Sequence, residues 1–238
     1  RRKMKITCHM IMSVDGRLLP KYWSPLYNAS SSVTEVYEAA DAKLSADGWI
    51  VGRKTMAEYG ADVVEEKEPM EGHKTMQTNT FIGKREGRPL AVVFDIQGRL
   101  HYKSPTLPSG EHIVAVLGSH VTRAYQKELE EIGVSYIMRT PGSKLEETQS
   151  ALKHLEHDFN VKHMLLEGGA ITCGNFLQMG LVDELSMIVY PGLDGESGHP
   201  SVIECQGVVE PLKKNRLELI DCETVGSGYV WLRYNIHR

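Results

Sequence analysis

Short apolar runs that alternate with stretches of helical spacing constrain this chain more than any other feature. The runs at 49–51, 92–94, 113–117, 134–138 and 164–166 are short, and they suit strands buried on both faces. Between them lie amphipathic stretches. Val33, Val36, Tyr37, Ala40 and Leu44 keep steps of three and four, as do Val121, Tyr125, Leu129 and Ile132, and then Leu145, Thr148, Leu152, Leu155 and Phe159. Ser32-Val33-Thr34-Glu35 is a capping box that starts the first of these helices. Strands that alternate with helices are expected to run parallel. The last quarter changes character: 185–190 alternates like a strand, and 217–225 and 229–234 flank Gly226-Ser227-Gly228, a hairpin signal. The expected fold is α/β, with a mixed, mostly parallel sheet, helices on both faces and a C-terminal antiparallel hairpin.

At 238 residues, 41% hydrophobic and 24% charged, the chain is long enough for one large core. A single domain over 4–238 is expected, with Met4 as the natural start and Arg1-Arg2-Lys3 as an added remnant. A net charge of −4 leaves no basic footprint, so nucleic acid is not an expected partner. No run of 18 apolar residues occurs, so no membrane span is expected. Cys8, Cys173, Cys205 and Cys222 are scattered without a C-x-x-C pair, which fits reduced thiols in the cytoplasm. No metal site is expected, because none of the ten histidines falls at H-E-x-x-H spacing.

Two stretches resist the alternation. Residues 60–89 carry Glu65, Glu66, Glu68 and Glu71, then His73, Lys74, Lys84, Arg85 and Arg88, with little apolar periodicity. They read as a substrate-covering segment whose cations anchor a phosphate, as a dimer arm, or as a solvated insertion. Residues 191–211, with Gly192, Gly195 and Gly198, are expected to link edge strands.

Chemistry is concentrated at the strand ends. The run 164–166 ends at Glu167, and Gly168-Gly169 turns directly into a helical segment, Ala170-Ile171-Thr172 onward. Such a turn exposes main-chain N–H groups at the positive end of a helix, where a phosphate can approach closely. The same turn also serves as a plain strand-to-helix connection. The spacing is not the G-x-G-x-x-G of a dinucleotide fold. A second strand end reads V-G-R-K-T, with Gly52, Arg53 and Thr55. A third reads M-S-V-D-G-R-L, with Ser13 and Asp15.

Taken in order, S-x-D-G, V-G-R-x-T and L-x-E-G-G-A followed by L-V-D-E-L resemble the C-terminal reductase domain of riboflavin-biosynthesis deaminase-reductases. That pyrimidine reductase domain is similar in fold to dihydrofolate reductase. The resemblance covers roughly residues 5–234. It implies NADPH as cofactor, a small-molecule heterocyclic or imine substrate, a homodimer, and reduction of 5-amino-6-ribosylamino-uracil 5'-phosphate. Gly52, Arg53, Thr55, Ser119, His120, Gly168, Gly169, Ala170, Ile171 and Thr172 would bind the cofactor, with Arg53 reaching an adenosine phosphate. Ser13 and His9 would face substrate, and Glu167 and Asp15 are the catalytic candidates. His9 reads equally as a buried core histidine, Ser119 as a helix cap and Asp15 as part of a plain turn. The alternating Leu185, Met187 and Val189 would lie near the dimer partner, or face their own core. Two departures stand out: an Asp-Asp-Pro segment usual after V-G-R-x-T is replaced by A-E-Y-G-A-D-V-V-E-E, and a lysine usual four residues before the S-x-D-G serine is His9. A dihydrofolate- or pterin-type reductase and a non-catalytic NADPH-binding protein are the alternatives.

Overall fold

Hydrogen bonding in the computed structural model follows the expected alternation closely. The structure describes residues 4–60, 62–73, 80–207 and 210–238; the three N-terminal residues and Lys74 therefore lie outside the described residues. In chain order the elements are β1 (Lys5–Ser13), α1 (Val33–Leu44), β2 (Gly48–Gly52), α2 (Arg53–Tyr59), β3 (Val63–Glu65), β4 (Thr80–Phe81), β5 (Leu90–Phe94), β6 (Leu100–Tyr102), β7 (His112–Leu117), α3 (Arg123–Ile132), β8 (Ser135–Met138), α4 (Lys144–His157), β9 (His163–Leu166), α5 (Ala170–Gln178), β10 (Glu184–Tyr190), α6 (Glu210–Lys213), β11 (Arg216–Val225) and β12 (Tyr229–His237).

Local chemistry sets the helix ends. The Ser32 hydroxyl accepts the Glu35 N–H while the Glu35 carboxylate accepts the Ser32 N–H, and Ser143 with Glu146 repeats the device at α4. Each such cap contributes about 1 kcal/mol. At α3 the cap is Thr122, whose side chain accepts the Tyr125 N–H; the helix stops at Gly133, with φ +91°. Ser119 is therefore not the cap of this helix.

The chain divides into two compact units, 1–4 with 47–162 and 5–46 with 163–238. In the first, β2, β5, β7 and β8 run parallel in that order, and β4 adds antiparallel to β8. In-register neighbours put Val93, Ala115 and Tyr136 side by side, and they join one buried cluster with Leu117 and Met138. Val121, Tyr125 and Leu129 bury the apolar stripe of α3 in the same cluster, with Ile132 packed against it. Burying one such side chain stabilises by about 1.5–3 kcal/mol. The small antiparallel pair β3–β6 has no clear sequence signal, because three-residue strands are too short to show alternation.

In the second unit the order is β11-β12-β10-β1-β9, with β9, β1 and β10 parallel and the C-terminal hairpin antiparallel. The loop after β10 thus leaves an internal strand, not the expected edge. Leu185 and Met187 are buried within this unit, so the β10 alternation is satisfied by its own core. Apolar exposure falls instead on β11, at Leu217, Leu219 and Ile220. Glu184 is buried on β10 between Lys5 and Arg233, its two oxygens shared between the cations.

Helix α5 touches the loop after β10 at Gly174. A Cβ there would lie 1.9 Å from the Glu204 carbonyl oxygen, while the Glu204 N–H donates to Ala170 O. Gly174→Ala gains about 1 kcal/mol of helix propensity, but overpacking against main chain costs about 1–3 kcal/mol. We expect a net loss of stability, with Tm falling roughly 2–4 °C per kcal/mol. An unchanged or raised Tm would contradict this contact.

Candidate functional site

In the second unit the ends of β1 and β9 carry the candidate chemistry. Gly168 adopts φ +124° and the Gly168–Gly169 peptide is cis. The positive φ explains the need for glycine at 168. Gly169 is the N-cap of α5 and supplies no side-chain cap. The first N–H groups of α5, from Ala170, Ile171 and Thr172, have no intrahelical acceptor and sit at the positive end of the helix dipole. Ile171 is 39% exposed and Thr172 is half-buried, so the turn is open to solvent. This arrangement suits a phosphate, and Glu167 is the residue just before it.

His9 lies in the middle of β1 and is fully buried. Its ring stacks on Tyr37 at 4.4 Å between centroids. Nδ1 is 2.9 Å from Ser186 Oγ, and among the described residues no partner meets hydrogen-bond geometry at Nε2. Burial pushes the imidazole down to about 4, and main-chain pull from Tyr37 and Ser186 offsets only part of that. His9 is therefore neutral at pH 7. The Tyr37 hydroxyl donates to His9 O at 2.8 Å. Burial pushes Tyr37 well above its ordinary value, and the charges of Glu167 and Asp41 add to this. Cys8 and Cys173 are buried in hydrogen-bonding reach of each other; that bond, burial and nearby Glu167 raise the Cys173 thiol. The structure thus brings together His9, Tyr37, Glu167, Cys8 and Cys173. Tyr37 was hidden in the sequence, because its place in an apolar stripe reads as core. Its hydroxyl was the only hint.

Ser13 and Asp15 organise a loop. Ser13 Oγ accepts the Arg17 N–H at 2.9 Å. The Asp15 carboxylate accepts the N–H groups of Asp194 at 3.1 Å and Gly195 at 2.7 Å. Those bonds, led by one from the Ser13 hydroxyl, pull Asp15 down to about 2. An exposed carboxylate held ionised in this way is a poor proton donor, so the geometry assigns Asp15 to tying two loops together. Arg17 and His199 extend the tie: the Arg17 guanidinium donates to His199 O, His199 pairs with Asp194, and Tyr22 stacks on His199.

The first unit carries the remaining candidates. Gly52 caps α2, and Thr55 sits half-buried in its first turn. Arg53 is not a loose surface cation. It pairs with Glu65, which Arg99 shares at 3.1 Å. Partial burial and neighbouring Arg99 lower the Arg53 value, and buried Asp95 opposes this. Ser119 and His120 lie in the turn after β7. His120 is exposed on a cleft of about 430 Å³ that is also lined by Glu68, Met70, Gly98, Thr122 and Tyr125. The described part of the 60–89 segment packs against its own unit. Met70 packs on the core, the Thr122 hydroxyl donates to Met70 O, and the Arg123 N–H donates to His73 O. Arg85 donates to the carbonyls of Arg88 and Phe159, and Arg88 to that of Gly110. Both guanidinium groups thus contact main-chain carbonyls in this structure.

Strand order, the C-terminal hairpin and the glycine turn define a mixed α/β reductase fold of the dihydrofolate-reductase type. The chain belongs to the RibD C-terminal domain family, which matches residues 4–231. That membership makes it an oxidoreductase of the riboflavin-biosynthesis type. A pyrimidine reductase-like protein from Corynebacterium diphtheriae is similar, with a TM-score of 0.66 at 19% identity, covering 99% of this chain and 92% of that one. RibD from Acinetobacter baumannii gives 0.62 at 20% identity over 99% of this chain and 58% of its own, so this chain spans little more than half of that protein. A riboflavin biosynthesis reductase from Saccharomyces cerevisiae gives 0.61 at 14% identity, covering 98% and 90%. Among the described residues no helix is long and apolar enough to cross a membrane.

The Asp15 tie has a defined pH window. Its folded value of about 2 lies below its ordinary 3.8. The stabilisation it contributes is therefore fully present above roughly pH 4 and lost as pH falls through about 2. Carboxyl titration by NMR should give a midpoint near 2 for Asp15. Asp15→Ala should raise amide exchange at Asp194 and Gly195 at every pH. A midpoint at the ordinary value would show that the loop bonds do not form.

Proposed function

We propose that the chain is an NADPH-dependent reductase of a C=N or C=C bond in a small heterocyclic or imine substrate. The specific reaction proposed is reduction of 5-amino-6-ribosylamino-uracil 5'-phosphate. The observation that carries this reading is the uncapped, glycine-built N-terminus of α5, placed directly after Glu167. Bound nicotinamide supplies the hydride. What the chain supplies is position and charge. The N–H groups of Ala170, Ile171 and Thr172 hold a cofactor phosphate, with Gly168 and Gly169 leaving it room to approach. Glu167 is the proposed group for holding or relaying a proton at the reduced centre. Tyr37, kept protonated by burial, orders the main chain of His9 beside it. Selectivity for NADPH over NADH is proposed to rest on Arg53 and on Ser119 or His120. An arginine matches phosphate geometry once it is released from its carboxylate partner.

The test is direct. NADPH titration of the wild-type protein by tryptophan quenching should show binding tighter than NADH, and Gly169→Val should weaken it by roughly 10–100-fold, the loss of about 1.5–3 kcal/mol of charged hydrogen bonding. Turnover with the ribosylaminouracil phosphate should oxidise NADPH. Turnover only with dihydrofolate or a pterin would move the enzyme to that class, and tight binding without turnover of any of them would favour a sensor. Unchanged NADPH affinity in folded Gly169→Val would sink the phosphate assignment.

A homodimer is part of the same proposal. The support is on β11, an edge strand with Leu217, Leu219 and Ile220 all at least 41% exposed. An edge of this length and apolarity is prone to pair with another chain. Sedimentation at micromolar concentration should give twice the 26.6 kDa chain mass, and Leu219→Lys should give monomer. A wild-type species at the single-chain mass would contradict it.

A further inference from the structure

Two arginines of the first unit converge on one carboxylate oxygen. Arg53 opens α2 at the end of β2, and Arg99 follows the turn that Asp95 bends from β5 into β6. Both meet Oε1 of Glu65, Arg53 through Nη1 and Arg99 through Nη2, the latter at 3.1 Å. Arg99 is aimed by main chain: its Nε–H donates to Glu66 O at 2.7 Å, and its own carbonyl accepts the Glu66 N–H at 2.9 Å. Glu65 ends β3, a three-residue strand paired with β6 in a two-stranded sheet. That pairing sets Glu65 beside Leu100 through the main chain and leaves the carboxylate free to rotate. The side chains of Arg53, Arg99 and Glu65 are 21%, 18% and 26% exposed, so all three reach solvent. The 430 Å³ cleft begins one residue before Arg99, with Gln97 and Gly98 in its wall and His120 across from them on the turn after β7.

We propose that Glu65 occupies the seat of the cofactor's 2'-phosphate and is exchanged for it, so that Glu65 sets how strongly the protein prefers NADPH to NADH. Two guanidinium groups on one oxygen suit a phosphate oxygen as well as a carboxylate, and a phosphate monoester brings about two charges where the carboxylate brings one. NADH lacks the 2'-phosphate, so its binding leaves both ion pairs intact. NADPH must first release Glu65 to water, and the free energy of that release is subtracted from its affinity. As the cofactor leaves, Glu65 returns, so two partly buried cations are not left unpaired and release is eased. This deepens the proposed reductase reading and rests on it for the identity of the ligand. The exchange of carboxylate for phosphate does not depend on that reading.

Carboxyl-13C labelling of the glutamates follows the exchange in the wild-type protein. Adenosine 2',5'-bisphosphate carries the 2'-phosphate without nicotinamide. It should move the Glu65 carboxyl signal to the position of a solvated glutamate, and adenosine 5'-monophosphate should not. Glu65→Gln, of nearly the same size, should tighten NADPH binding roughly three- to tenfold, about the strength of a partly exposed ion pair, with a smaller effect on NADH. The same variant should slow NADPH release in a chase with excess NADP+. On an Arg53→Ala background Glu65→Gln should no longer tighten NADPH, because the seat is gone. A wild-type Glu65 signal that the bisphosphate leaves in place would overturn the proposal, and this measurement decides it even where Glu65→Gln fails to fold. Unchanged or weaker NADPH binding in folded Glu65→Gln would overturn it too, the carboxylate then serving only to order the arginines. Displacement of Glu65 by the bisphosphate, in a protein that oxidises no NADPH with the ribosylaminouracil phosphate, would uphold the exchange and defeat the reductase reading instead.

Discussion

Strand β1 has parallel partners on both edges and is buried on both faces. Every polar side chain it carries must therefore find an internal partner, because an unsatisfied buried group costs as much as several surface contacts provide. That constraint organises the second unit. Thr7 meets His163 across to β9 at 2.9 Å. His9 meets Ser186 across to β10, and through it Trp231 on β12. Ser13, at the end of the strand, turns its hydroxyl onto the Arg17 N–H and so shapes the turn that carries Asp15.

A second constraint of the same kind acts in the first unit. Asp95 follows β5 with its side chain fully buried. One oxygen accepts the N–H groups of Arg99 at 2.7 Å and Leu100 at 2.8 Å, which bends the chain from β5 into β6. Burial pushes this carboxyl upward, while those N–H bonds and the Arg53 charge pull it back. Arg53 is thereby tied into a balanced set of two arginines and two carboxylates, Arg99, Glu65 and Asp95 being the others. Such a set restrains the side chain and weakens its pull on an added anion, so a phosphate contact by Arg53 requires exchange of Glu65 for phosphate.

The alternation of apolar runs with helical stripes placed the longer strands and helices to within a few residues, because each bears its own period and its own caps. Elements without a period escaped. β3, β4 and β6 are two or three residues long, and they form because a neighbouring strand edge is available. The site was legible in part for the same reason. The Gly168-Gly169 turn and Glu167 declare themselves by local chemistry. Tyr37, Ser186 and Trp231 lie far apart in sequence, within patterns that read as ordinary core or strand; pairing across β1, β10 and β12 gives Ser186 and Trp231 a polar role, and the packing of α1 on β1 gives Tyr37 its own.

What the sequence by itself determined is everything that depends on neighbours along the chain: strand and helix periods, the Ser32 and Ser143 caps, the hairpin at Gly226, the glycine turn into α5, and the order of motifs that marks the family. Only the tertiary structure decided which strand became an edge, and hence that β11 rather than β10 exposes its apolar side. It alone committed Asp15 to the 194–195 main chain and Arg85 to the Phe159 carbonyl. The reason is physical. A side chain's role depends on which donor or acceptor reaches it first, and that is set by strand register and burial across the fold, distances that no local pattern encodes.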